Sequence, residues 1–145
     1  MIEIREEQER VILVGVALEH IDSVQDSLDE LEQLVETAGA ETVEKMIQSR
    51  EQVHPATYLG KGKLEELRER LAYHNATGVV CDDELTPAQM KNMEQILQIK
   101  VMDRTLVILD IFARRATTRE GKIQVELAQL RYRAARLVGL RDSLS

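Results

Sequence analysis

From Val11 to Leu18 the chain is apolar without a break except at Gly15. A run of that kind suits a strand covered on both faces. The period then changes. Ile21, Val24, Leu28, Leu31 and Val35 recur at helical spacing and predict a first helix. Ser23 is its expected N-cap, and Gly39 stands where a helix end favours a left-handed residue. Val43, Lys45 and Ile47 alternate with Glu44 and Met46, which predicts a second strand. Leu64, Leu67 and Leu71 mark a second helix, and Gly78-Val79-Val80-Cys81 a short buried strand. Thr86-Pro87-Ala88-Gln89 predicts a helix start: Thr caps, Pro takes the first turn and Gln closes a capping box. Met90, Met93 and Leu97 supply the inner face of that helix. Lys100-Val101-Met102 reads as a fourth strand ending at Asp103.

Strands that alternate with helices require crossover connections, and hence a parallel sheet covered on both faces. Residues 1–103 therefore read as a small α/β subdomain. Beyond Asp103 the pattern is helical only. Two helices are joined by a polar break at Thr117-Thr118-Arg119. Ile123, Leu127, Leu130, Ala134 and Leu137 form a narrow stripe at near-heptad spacing on the second of them. Such a stripe needs a partner helix, which the preceding helix supplies in part. The expected fold class is α/β, a small parallel sheet flanked by helices. A helical subdomain over residues 104–145 follows, of antiparallel-hairpin, coiled-coil-like type.

Charge divides at the same place. Residues 1–103 hold 10 Lys/Arg against 22 Asp/Glu, a net of −12, and residues 104–145 hold 9 against 4, a net of +5. The total of −7 thus hides a basic arm on an acidic body. That asymmetry points the arm at a polyanion. Aromatic residues are few (Tyr58, Tyr73, Tyr132 and Phe112), which argues against a base-stacking surface. Cys81 is the lone cysteine, so no internal disulfide forms and a reducing compartment is expected. No apolar run approaches a bilayer span, and the Glu-rich N-terminus has neither signal nor transit character. The expected location is the cytoplasm.

Several residue groups offer chemistry. Gly60-Lys61-Gly62-Lys63 precedes a helix, where backbone N–H groups and two lysines suit a phosphate. The full glycine–lysine–Ser/Thr pattern is missing, and the two glycines equally well shape a turn. Asp82-Asp83-Glu84 follows the third strand, where open parallel sheets place ligands, or else is a solvated loop leading to the Thr86 cap. His20, His54 and His74 lack ligand spacing, so no metal site is expected. Ser143 and Ser145 have no positioned base, and no catalytic residue is assigned. Arg114, Arg115, Arg119, Lys122, Arg131, Arg133, Arg136 and Arg141 are the candidate nucleic-acid contacts, because guanidinium groups match phosphate oxygens. Arg133 and Arg136 are helix neighbours opposite in sense to the apolar stripe. The alternative for all of them is a solvated face with local pairs, such as Asp110 with Arg114 at i, i+4.

Four blocks also carry a likeness. They are Pro55-Ala56-Thr57-Tyr58-Leu59-Gly60-Lys61-Gly62-Lys63-Leu64-Glu65-Glu66-Leu67, Asp82 to Gln89, Lys91 to Glu94, and Asp103 through Leu130. In wording, order and spacing the chain resembles the HflX family of ribosome-associated GTPases, in the region before their GTPase domain, over roughly residues 10–140. Met93 and Ile123 stand where the family pattern has Leu. The resemblance implies an N-terminal fragment that stops before a returning helix and the GTPase domain. It implies no GTP hydrolysis by these residues, with GTP and Mg²⁺ bound in that further domain. For the intact protein it implies binding to the large ribosomal subunit and its rRNA, and splitting of ribosomes under stress. It leaves open an adenine-nucleotide site at Gly60–Lys63. It equally leaves open an interaction module that packs on the GTPase domain through the Ile123–Leu137 stripe. A homodimer through the same exposed helix is a further expected assembly.

Overall fold

The computed structural model describes residues 8–144, apart from the side chains of Arg133 and of residues 135–144. Four strands and five helices follow one another as β1 (Arg10–Ala17), α1 (Ile21–Thr37), β2 (Glu41–Ser49), α2 (Lys61–His74), β3 (Gly78–Cys81), α3 (Pro87–Leu97), β4 (Lys100–Asp103), α4 (Arg104–Arg115) and α5 (Arg119–Leu144). All strand pairs are parallel and the order is β2-β1-β3-β4. The continuous apolar run is thus an inner strand, buried from Val11 through Ala17. Leu18 falls past its end and is exposed.

Pleating sends alternate β1 side chains to opposite faces. Ile12, Val14 and Val16 meet Leu64, Leu67 and Leu71 of α2 and Met90, Met93 and Leu97 of α3. Val11 and Leu13 meet Leu28, Leu31 and Val35 of α1 and Val107 and Ile111 of α4. Gly15 is where α1 comes closest: a Cβ there would lie 2.7 Å from the Val24 Cγ1. A larger residue would push the helix off the sheet.

The helix ends follow local chemistry, with one exception. Gly39 has φ +92, and the Ala40 and Gly39 N–H groups close the end of α1 on Val35 and Glu36 carbonyls. Thr86 and Gln89 form the reciprocal capping box, with Pro87 in the first turn. The exception is Ser23. The helix starts at Ile21, so Ser23 sits inside its first turn, and His20 occupies the cap position without a side-chain bond. Only three residues separate β1 from α1, so the helix begins at once, and Asp22 supplies the favourable charge of the first turn.

Asp103 ends β4 and caps α4: its Oδ1 accepts the Leu106 N–H at 3.0 Å. The helix α5 packs on α3 and α4 through Val125, Gln129 and Tyr132, which are half-buried. Ile123, Leu127 and Leu130, the stripe expected to meet α4, point the other way and are 53%, 42% and 64% exposed. The stripe is exposed, as expected of one that lacks its full partner, and only the partial cover expected from α4 is corrected. Gln129 and Tyr132 supply the inward face with polar atoms, and the apolar stripe is left to solvent.

Candidate functional site

The carboxyl ends of β1 and β3 flank the point where the chain turns to opposite sides of the sheet, the usual ligand crevice of such folds. Here side chains fill it. The Arg104 guanidinium donates to the Asp82 Oδ1 at 2.7 Å, the Ser27 carbonyl at 2.9 Å and the Glu30 Oε1 at 2.8 Å. The Ser27 Oγ donates to the Asp82 Oδ2 at 2.7 Å. Burial opposes the charge of Arg104, but Asp82 and Glu30 together outweigh that and hold its pKa above the usual value. The Asp83 Oδ2 accepts the Tyr58 hydroxyl at 2.5 Å. Burial, reinforced by nearby acidic groups, pushes the Tyr58 phenol far above its ordinary pKa. Asp82 and Asp83 are therefore bound by the protein itself, and the described residues hold no cluster suited to a metal ion.

The Gly60–Lys63 turn is equally committed. The Gly60 N–H donates to the Gln48 Oε1 at 2.8 Å, and a Cβ at Gly60 would lie 2.5 Å from an Arg50 nitrogen. Lys63 lies back along α2 onto Glu66, at 3.2 Å. Lys61 and Gly62 are exposed. Leu64 stands where a phosphate loop would carry its magnesium-binding hydroxyl. These residues do not fit a magnesium nucleotide. Tyr58, with φ +65 and wholly buried, anchors the loop before the turn.

The basic residues fare differently from one another. Arg114 pairs with Asp110 at 2.9 Å. Arg115, Arg119, Lys122 and Arg131 are exposed, and none has an ion-pair partner among the described residues. Arg133, Arg136 and Arg141 lie outside the residues whose side chains are described. Arg115 ends α4, and Arg119 and Lys122 fall in the first turn of α5 beside the acidic Glu120, so three cations without an ion-pair partner among the described residues flank the link between the helices. Cations in a first turn oppose the helix macrodipole, at a cost of about 0.3–1 kcal/mol each. With Glu120 between them, Arg119 and Lys122 leave this first turn net positive, in the same sense as the dipole.

Sequence reasoning missed Phe112. Its ring, on the outer face of α4, is 57% exposed and one turn from Arg115. A shallow groove of about 420 Å³ runs between α4 and α5, lined by Leu109, Phe112, Arg115, Gln124, Val125 and Ala128. The available signal was that Phe112 is out of phase with Val107 and Ile111, the core positions of its own helix.

Comparison with known proteins supplies the lineage. The model described as "GTP-binding GTPase N-terminal" matches residues 25–113, and "GTP-binding GTPase Middle Region" matches residues 115–145. A "GTPase HflX" of Lacrimispora saccharolytica is 66% identical over 145 residues, 100% of this chain and 34% of that protein. The chain belongs to the HflX GTPase family. The HflX of Escherichia coli is 45% identical over 130 residues, 90% of this chain and 30% of its own length. This chain thus spans about a third of the length of its curated HflX relatives. A GTP-binding protein of Sulfolobus solfataricus, solved with GDP, superposes at TM-score 0.70 with 22% identity, covering 92% of this chain and 40% of that one. At that identity the likeness is one of fold. The helices hold no span long and apolar enough to cross a membrane among the described residues.

Proposed function

We propose that this chain is the ribosome-engaging and regulatory part of an HflX-type GTP-binding protein. In the intact protein it acts in the cytoplasm and docks on rRNA of the large ribosomal subunit. Binding there contributes to the splitting of ribosomes under stress. GTP and Mg²⁺ belong to the GTPase portion that the longer relatives carry, and the residues of this chain hydrolyse no GTP. The observation that supports RNA docking is the corner of Arg115, Arg119 and Lys122. It is unpaired among the described residues and set on the positive end of α5, in a chain whose first 103 residues carry a net of −12. Its test is co-sedimentation with large ribosomal subunits. Arg115→Glu, Arg119→Glu and Lys122→Glu together are expected to abolish association. Reversal of Lys61 and Lys63 is expected to leave most of it. Equal losses from the two variants would overturn the assignment.

A second reading is favoured by the outward stripe of Ile123, Leu127 and Leu130. It makes α5 a packing surface for another helical segment, whether of the intact protein or of a second copy, and is compatible with the first. An adenine-nucleotide site at Gly60–Lys63 gains less support, because Gln48 and Glu66 already engage that turn.

A further inference from the structure

We propose that Phe112 stacks on an unpaired nucleobase, giving the basic corner a preference for RNA with a base out of its helix. The inference rests on the polyanion reading above and adds to it a shape requirement. A Phe that is 57% exposed contributes little to the fold, since α4 already packs inward through Leu106, Val107 and Ile111. Phe112 and Arg115 are one turn apart and share a face. The ring therefore sits beside a free guanidinium, with Arg119 and Lys122 across the short link to α5.

An apolar ring beside one cation, with two more on the next helix, suits a ligand that presents a π-face and phosphates together. An unstacked nucleotide does so; the few aromatic residues argue against an extended stacking surface, but one ring takes one base. The other strongly exposed ring, Tyr73, is less suited. The Arg70 guanidinium covers it at 4.5 Å from the ring centre, and Glu44 binds that guanidinium. The groove between α4 and α5, with Gln124 at its wall, gives the base a place to lie against Val125 and Ala128.

The test uses two RNA hairpins of equal length and charge, one fully paired and one with a single bulged purine. The wild-type chain is expected to bind the bulged hairpin more tightly. Phe112→Ala is expected to lose roughly tenfold in affinity for it and to bind the paired hairpin as before. Because the sequence has no Trp, Phe112→Trp places a lone indole at the site, which is excited apart from the three tyrosines. Its emission is expected to be quenched by the bulged hairpin and little changed by the paired one. Loss of both RNAs in the Arg115/Arg119/Lys122 reversal, with no effect of Phe112→Ala, would overturn this inference alone. Undiminished binding of both RNAs in that reversal would overturn the polyanion reading and this inference with it. Emission from the Trp variant that shifts with protein concentration, and not with RNA, would reassign the groove to a protein partner.

Discussion

The Tyr132 hydroxyl donates to the Asp103 Oδ2 at 2.6 Å, tying the middle of α5 to the last residue of the sheet. Asp103 is wholly buried, and its carboxyl group also accepts the Leu85 N–H at 3.0 Å and caps α4 through Leu106. One side chain thus links the loop after β3, the start of α4 and the basic helix. Tyr132→Phe removes a donor from a buried acceptor and is expected to cost about 1–2 kcal/mol. Hydrogen exchange should show faster opening of α5 before any change in β1. Unchanged protection along α5 would mean that apolar packing alone holds the helix.

The sheet makes a sharper demand. Val14 is wholly inaccessible on an inner strand. Val14→Asp places a carboxyl group there with no partner, and the expected loss of several kcal/mol exceeds the margin of a small domain. The expected outcome is a chain without a cooperative thermal transition. A melting curve like that of the wild type would contradict the burial of β1.

What could be read in advance was whatever neighbouring residues decide. The Val11 run, the Thr86–Gln89 box and the left-handed Gly39 each depend on residues within a few positions, and the structure has all three. The contacts that fill the switch point were not legible. Arg104 reaches Asp82 and Ser27, and Tyr58 reaches Asp83, across 22, 77 and 25 positions. No periodicity encodes such pairs. The part of the stripe that α4 was expected to cover was misread for a related reason. An apolar stripe predicts contact, whereas the inward face here mixes Val125 with Gln129 and with Tyr132, whose hydroxyl bonds Asp103. Of the basic residues, spacing had already offered Asp110 as the partner of Arg114, and the structure has that pair, whereas charge alone did not say which of the others stay unpaired.

Acid sensitivity follows from Glu44. The Arg70 guanidinium donates to its Oε1 at 2.8 Å and His74 Nε2 lies 2.8 Å away. The bond to Arg70, chiefly, holds the Glu44 pKa below its usual 4.5. A carboxyl group whose folded pKa is depressed contributes stability above its unfolded pKa and loses it as pH falls through the folded one. Wild type should therefore have a higher urea midpoint than Glu44→Gln above the unfolded value of 4.5, and the gap should narrow as pH falls from there through the depressed folded value. A gap that widens on acidification would reverse the assignment.

Self-association is the expected fate of the outward stripe when no other helix covers it. Ile123, Leu127 and Leu130 present adjacent apolar side chains on one face. Sedimentation equilibrium should find a concentration-dependent dimer, and Leu127→Lys with Leu130→Lys should restore the monomer without lowering the melting temperature. A wild-type chain that stays monomeric at high concentration would remove this surface from the account.

The basic corner predicts that stability and binding move in opposite directions. Arg119 and Lys122 oppose the α5 dipole, so Arg119→Glu and Lys122→Glu should each stabilise the start of the helix by about 0.3–1 kcal/mol. The same changes remove two phosphate partners. Affinity for RNA should fall, and the slope of log affinity against log salt should flatten by roughly 2 in the double variant. Arg114→Glu is the control: it loses a local pair with Asp110, and RNA affinity should fall less, because that guanidinium is already engaged. Melting and salt-titrated RNA binding of the four variants give the comparison. A double variant that is both more stable and equally tight would mean that the two cations carry no functional load. One that is less stable and weaker would mean that they hold the helix rather than a ligand.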